Sequence, residues 1–348
     1  MEKCVRQVQS MSNVLSFPIP NYQFEKTNDF ALDIKSLFNH KKEGHMERWE
    51  YGPSLFETDP AGGSHHWANL VKNPGNYYLT EEDISCIQHA INTEKLQKYL
   101  SKIETVIELG PGSEKAILSK TIPFLKKCSH LEKYIAVDAT LEQAKQSSFL
   151  VRKKMSINVG VRECNFMHAP MTPIMSGKCA TVMWGSSLGN IEGSADSNPH
   201  RMLIGTLNII QQGMKSGDVL IVCFDTEQNE NKIIKAYSEH HLQAQVLSVV
   251  FRAKRDLYIN GTFDPKIWRH KPVWYPRSQQ LAHTLYPLFD QELHFDNQLV
   301  KVPAWTEFIS NNSYKFSPDA IISAAKNAGF TSETIQNGAM ALLIAEKP

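Results

Sequence analysis

The strongest constraint on this chain is an alternation that begins at residue 105. TVIEL (105–109), YIAVD (134–138), NVGVRE (158–163), ATVMW (180–184) and DVLIVCF (218–224) are short, apolar and rich in β-branched residues. Helical stretches such as AILSKTIPFLKK and LEQAKQSSFLVRKK separate them. Strands of this kind, alternating with helices, predict an α/β architecture in which a doubly wound parallel sheet is covered on both faces. AMALLIAE predicts a closing strand. SPDAIISAAKNAG (317–329) predicts a helix with a Ser N-cap, Pro in its first position and Gly past its end. Thr80 with Asp83 resembles a capping box, which predicts one helix from about Glu81 to Leu100. Residues 1–80 are irregular, with scattered Pro, Gly, His and aromatics, as expected of a cap of loops and short helices, and residues 260–303 are rich in Pro, Trp, Tyr and His. ENKIIKAYSEHH reads as helical, while QVLSVVFRAKRDLYI is open between helix and strand.

Lys plus Arg is 37 and Asp plus Glu is 36, a net charge of +1, so no basic excess argues for a nucleic-acid partner. The nearest basic patch, RAKR (252–255), reads as a solvated face. The six cysteines are scattered with no CxxC pair, which predicts reduced thiols rather than a zinc ribbon or a redox motif. Cys164, Cys179 and Cys223 lie in apolar runs and are expected to be small core residues. No leader pattern stands at the N-terminus and no apolar run approaches a membrane span. The expectation is a cytoplasmic protein, monomeric or weakly dimeric, with a small-molecule substrate and neither nucleic acid nor membrane as partner.

The first strand runs into a glycine turn, VIELGPGSEK (106–115). The dinucleotide fingerprint needs a third small residue to let helix and strand pack, and Lys115 occupies that position. Gly110 and Gly112 let the backbone approach a ligand, and Asp138, ending the next strand, is able to accept from both ribose hydroxyls. After the third strand, Asn165 is placed to accept from an adenine amino group and Phe166 to cover the ring. This donor set suits S-adenosylmethionine, whose adenosine and methionine parts carry no phosphate to cradle. The fourth strand ends in WGSSLGNIEGS, where ligands of open α/β sheets sit. There the side-chain oxygen of Asn190 is able to accept from an amine N–H and aim the nitrogen lone pair.

ELGPGSEK, WGSSLGN, NYYLTEED (76–83) and NNSYKFS (311–317), in this spacing, resemble the histidine-specific methyltransferase family. That family includes the ergothioneine-pathway histidine Nα-methyltransferases and the fungal dimethylallyltryptophan N-methyltransferases. The resemblance implies a class I S-adenosylmethionine-dependent methyltransferase domain, over 82–226 and 315–348. It also implies a substrate-binding domain built from 1–81 and 227–314. It places Gly110, Lys115, Asp138, Asn165 and Phe166 around the cofactor. It places Tyr77, Asn190 and Tyr237 on the substrate's amino and carboxylate groups, and Ser313 near its side chain. Asn190 and Tyr237 are then the candidate catalytic residues. Two positions depart from the family's pattern: Asp59 stands where a tyrosine is expected, and Asn311 where a glutamate pairs with imidazole. Histidine and another amino acid or amine therefore both stay open as substrate. Trp268, Trp274, Tyr275 and Trp305 fit either an aromatic substrate or a core. A non-catalytic binding member is the rival from a different class. His65-His66 and His240-His241 are adjacent pairs that point apart, so no metal is expected.

Overall fold

The computed structural model describes residues 29–39, 52, 54–56, 58–138, 141–167, 170–171, 177–191, 198–257, 259–295 and 298–348. The N-terminal stretch, on which the expectation of no leader rests, lies outside the described residues, as does Cys4. The strands are β1 (Thr105–Leu109), β2 (Lys133–Asp138), β3 (Asn158–Glu163), β4 (Cys179–Met183), β5 (Val219–Asp225), β6 (Asn260–Gly261) and β7 (Trp268–Tyr275). They continue as β8 (Gln280–Pro287), β9 (Gln291–Phe295), β10 (Gln298–Val302), β11 (Phe308–Tyr314), β12 (Thr331–Asn337) and β13 (Met340–Glu346).

Seven strands form one sheet in the order β12-β13-β5-β4-β1-β2-β3. Strands β1 to β5 are parallel, and β13 runs antiparallel between β5 and β12. Every residue of β1, β4 and β5 is buried, which is why these segments read as continuous apolar runs. Alternation sends Val106 to one face and Ile107 to the other. Val106 joins a core with Ile87 and Ala90 of the helix Leu79–Ala90; Ile107 joins one with Leu207 of Pro199–Gln212 and Ile321 of Pro318–Asn327. Successive strands leave β1 on both sides, through β2 and β3 one way and β4 and β5 the other. The carboxyl ends of β1 and β4 therefore open the crevice at which open α/β sheets bind ligands.

The helix expected from 81 to 100 is two, Leu79–Ala90 and Glu94–Leu100, with Thr93 capping the second by accepting from Leu96 N. The Thr80–Asp83 capping box does not form. Asp83 is buried and accepts instead from Lys120 Nζ at 2.7 Å and Gly185 N at 3.2 Å, a charge-assisted contact that outcompetes a backbone cap. The open segment after residue 240 is the helix His240–Asp256, because Val246, Val249, Val250 and Ala253 fall on one helical face.

That face packs on Phe30 and Ile34 of the helix Asp29–Phe38. Phe38 lies 5.4 Å from the ring of Trp268 and 5.5 Å from that of Phe308, so the early helix and the 240–308 region share one core. Around it stand the antiparallel sheets β11-β8-β7 and β10-β9-β6. RAKR is stitched into this region: Arg255 pairs with Asp59 at 2.6 Å, and Arg252 with Asp256 at 3.0 Å. Strand β11 leads from this region into the large-sheet core, where Tyr314 and Phe316 stack at 5.3 Å. Among the described residues no helix is long and apolar enough to cross a membrane. Cys179 and Cys223 are buried and Cys164 is half-buried, all as free thiols.

Candidate active site

The residues expected to line the cofactor stand at neighbouring strand ends. Gly110 (φ +64) and Gly112 (φ +75) turn the chain after β1 through the left-handed region, and Gly110 N donates to Val137 O at 2.8 Å. A Cβ on Gly110 would come 3.6 Å from the Phe166 ring, filling the slot between loop and ring. Asp138 ends β2 and Asn165 follows β3, both half-buried, one strand apart in the sheet. Lys115 donates to Glu81 Oε1 at 2.7 Å and to the Val71 carbonyl at 3.1 Å, so it ties two helices to the glycine turn. An open slot, an aromatic wall, a carboxylate and an amide in this order fit an adenosine with a free ribose.

Beneath the turn lies Glu108, fully buried on β1. It accepts from Tyr134 OH at 2.6 Å and Thr121 Oγ1 at 2.7 Å. Burial pushes its carboxyl up to about 7, against the opposing pull of the two hydroxyls and Lys120. Lys120 and Thr121 belong to a π-helical turn, Ile117–Thr121, in the helix after the glycines. The wider turn lets consecutive residues serve two acceptors, Asp83 and Glu108. Through Asp83, Lys120 also reaches the loop after β4. In that loop Ser186 is buried at φ +60, a conformation uncommon outside glycine, and its Oγ meets no partner among the described residues.

The loop continues as the 3-10 turn Ser187–Gly189, with Asn190 at its end. Gly189 is pressed against β11: a Cβ there would lie 2.6 Å from Tyr314 O. Asn190 and Ser313 each adjoin one side of this backbone contact in sequence. Ser313 Oγ is 3.1 Å from Tyr237 OH, and the Tyr237 ring meets Tyr77 edge-on at 5.6 Å. Tyr77, Tyr237 and Ser313, which lie far apart in the sequence, thus converge, and Asn190 follows the turn that packs on the residue next to Ser313. Asn311 is buried two residues before Ser313 on β11, opposite His283, and Asn312 accepts from Gln280 Nε2 at 2.7 Å. Asp59 takes no place in this cluster. Its carboxylate accepts from the amides of Leu55 and Ala61 and pairs with Arg255. Burial alone would raise it, but these partners outweigh that and hold it below the usual range.

Three polar residues not anticipated from sequence complete the cluster. Lys315 is fully buried, 2.8 Å from Asp225 Oδ2 and 2.9 Å from Ser313 Oγ, and it also donates to Tyr237 OH. Tyr78 OH donates to the same Asp225 oxygen at 2.7 Å. Burial would strip the Lys315 proton, but Asp225 and Tyr237 overcome it and hold the pKa above the usual lysine value. Burial and the Asp225 charge push the Tyr78 hydroxyl upward. The available signal was an acid ending a wholly apolar strand and a lysine between two aromatics in SYKF. Behind Tyr237, His283 lies 5.5 Å away and stacks on His270, with Nδ1 and Nε2 3.1 Å apart. Burial pushes His270 down to about 4. Trp274 is buried beside Tyr77 and Tyr237, Trp268 is core, and Tyr275 and Trp305 are exposed. No group of three or more His, Cys, Asp or Glu among the described residues is placed to hold a metal ion.

A seven-stranded sheet with one antiparallel strand between the last two positions, a glycine turn after its first strand and an acid after its second define a class I methyltransferase. The chain belongs to the histidine-specific, S-adenosylmethionine-dependent methyltransferase family, whose model matches residues 54–342. Its cofactor is S-adenosylmethionine and its chemistry methyl transfer. An uncharacterised protein of Sinorhizobium fredii is 24% identical over 238 residues, 65% of this chain and 74% of that protein. Among solved structures, an S-adenosylmethionine-dependent methyltransferase of Clostridium acetobutylicum matches with a TM-score of 0.43 at 9% identity, covering 82% of this chain and 97% of that one. The amino pentose methyltransferase CalS10 of Micromonospora echinaspora matches with a TM-score of 0.41 at 7% identity, covering 82% and 96%.

Proposed function

We propose that this protein transfers a methyl group to the α-amino nitrogen of a free amino acid, histidine or a related aromatic one. The observation that carries the reading is the contact of Tyr77, Tyr237 and Ser313, with the turn that carries Asn190 packed on the neighbouring Tyr314 backbone. A carbonyl acceptor on Asn190 and hydroxyl donors on Tyr237 and Ser313 match the two ends of an α-amino acid. In this reading Gly110, Gly112, Lys115, Asp138, Asn165 and Phe166 hold S-adenosylmethionine, with Lys115 leaving Glu81 to meet the methionine carboxylate. The bound sulfonium supplies an activated methyl group.

The chain's own work is then positional. Asn190 accepts one amine N–H and turns the lone pair toward the cofactor, and Tyr77 and Trp274 close the site to water. Orientation of this kind contributes up to ~7–11 kcal/mol in favourable cases. Asn311 replaces a charged partner with a neutral one at the side-chain end, which favours an uncharged side chain over an imidazolium. The same reading assigns 1–81 and 227–314 to substrate binding and 82–226 and 315–348 to the cofactor domain. It describes a cytoplasmic enzyme, monomeric or weakly dimeric, with a small-molecule substrate.

The test is methyl transfer from labelled S-adenosylmethionine to the free amino acids and to common amines, read by mass. Methyl groups on histidine, tryptophan or a close relative are expected. Transfer only to amines lacking a carboxylate would refute the reading.

A further inference from the structure

The Tyr237–Ser313 hydroxyl pair carries a countable number of protons, and Lys315 decides where they go. The Lys315 side chain is fully buried. An ammonium has three donors. Three acceptors surround it: Asp225 Oδ2 at 2.8 Å, Ser313 Oγ at 2.9 Å, and the Tyr237 hydroxyl oxygen. Both hydroxyl oxygens therefore accept from the cation, and both keep their own protons for other partners. The two oxygens lie 3.1 Å apart, room for one shared proton. The second O–H has no acceptor among the described residues and is left for a group outside the network. Both oxygens of Asp225 are engaged as well. Its Oδ2 also takes the Tyr78 hydroxyl at 2.7 Å, and its Oδ1 takes Glu227 N at 2.9 Å.

A hydroxyl whose oxygen already accepts from an ammonium is a strengthened donor and a poor proton acceptor. It suits an anion rather than an amine that must lose a proton. We propose that Lys315, neutralised by Asp225, is a positioning residue that fixes the polarity of the Tyr237–Ser313 pair. The pair then presents one O–H to the α-carboxylate of the substrate, and the enzyme selects amines that carry that carboxylate. Tyr237 on this account reads the carboxylate and does not remove the amine proton. The inference rests on the amino-acid reading above and assigns that reading's specificity to a residue outside the substrate's reach.

The experiment measures equilibrium binding of the twenty free amino acids to the full chain loaded with S-adenosylhomocysteine. Each amino acid that binds is then compared with its decarboxylated amine, histamine for histidine and tryptamine for tryptophan. In the unaltered protein the acid should bind at least about tenfold tighter than the amine, the worth of one hydrogen bond to a charged group. Lys315→Met combined with Asp225→Asn removes both buried charges. It should bring that ratio close to one by weakening the acid and leaving the amine unchanged. A merely structural role would weaken acid, amine and S-adenosylhomocysteine together.

Tyr237→Phe, which keeps the ring against Tyr77 and His283 and retains the Lys315–Asp225 pair while removing one of the three lysine acceptors, decides the matter if the double variant does not fold. It should abolish the acid preference and, in turnover, raise KM with kcat held within about threefold. Equal binding of acid and amine by the unaltered protein overturns the proposal, as does binding of no amino acid. An acid preference that survives Tyr237→Phe, or a collapse of kcat at unchanged KM, overturns it as well. Failure of the amino-acid reading looks different: an acid binds with the stated preference, yet gains no methyl group.

Discussion

Replacing Gly189 with Ala should damage catalysis while sparing cofactor binding. The added Cβ would lie 2.6 Å from the Tyr314 carbonyl oxygen and 3.6 Å from its carbonyl carbon. Both partners are backbone, so no side chain can rotate aside, and an ordinary contact requires the 3-10 turn to retreat from β11 by roughly half an ångström or more. Forced overpacking of this kind costs about 1–3 kcal/mol of stability. The larger consequence is geometric. Asn190 follows Gly189 directly, while Tyr237 and Ser313 stay fixed by Lys315, so the retreat pulls the two ends of the site apart. A misplacement approaching 1 Å costs up to ~10²-fold in rate.

The assay is kcat/KM on whichever amino acid the panel identifies, with the S-adenosylmethionine Kd and the urea midpoint measured on the same protein. We expect kcat/KM to fall at least about tenfold and the Kd to hold within about twofold, because the Gly110–Asp138 edge is untouched. Gly205→Ala is the control. Gly205 sits exposed within the helix Pro199–Gln212, and nothing lies within 4 Å of its would-be Cβ. That substitution should stabilise by about 0.5–1 kcal/mol through helix propensity alone. A Gly189→Ala protein with unaltered stability and turnover would refute the claim that this close approach holds the site together.

Three further perturbations bear on the buried groups. Lys120→Met leaves the Asp83 carboxylate, 2% exposed, without its cation and with the Gly185 amide still donating, and should cost about 3–5 kcal/mol in urea unfolding. Adding Asp83→Asn should recover most of that loss, and no recovery would sink the ion-pair account. Burial lowers His270 from 6.5 to about 4, so the unfolded chain takes up its proton at a higher pH than the folded one. Stability should fall as pH drops from 6.5 to about 4, by up to about 3 kcal/mol, and His270→Gln should flatten that limb of the urea-midpoint profile. Glu108 titrates the opposite way. Burial raises it from 4.5 to about 7, so the folded chain keeps its proton longer, and stability present below 4.5 is lost as pH rises through about 7. The loss should reach about 3 kcal/mol and vanish in Glu108→Gln.

The parallel strands were legible because burial on both faces imposes a local signature, a run of β-branched residues, that needs no knowledge of neighbours. β5 shows it throughout, with all seven residues of VLIVCFD buried. The glycine turn was legible for the same reason, since Gly110 and Gly112 answer to backbone angles that few other residues tolerate. β12 (TSETIQN) was not legible, because an edge strand is half solvated and its pairing with β13 dictates only part of its composition. The break at 91–93 and the helical state of 240–256 were decided by packing: Thr93 caps a new helix, and Val246, Val249 and Val250 find a partner in the helix Asp29–Phe38.

The residues of the candidate site divide in the same way. Asp138, Asn165, Phe166 and Asn190 were placed by their position after strands, because a doubly wound sheet fixes where its carboxyl ends point. The Lys315–Asp225 pair joins residues from two distant strand ends, and Lys120–Asp83 and Arg255–Asp59 likewise join separate segments. Periodicity and turn chemistry are written within a few residues and survive without tertiary context. The partner of a buried charge is chosen by which loops the sheet order brings together. The sequence by itself therefore determined the parallel strands, the glycine turn and the family. Only the tertiary structure decided that Asp59 supports a loop, that Asp83 anchors the turn after β4, and that a buried lysine contacts Tyr237.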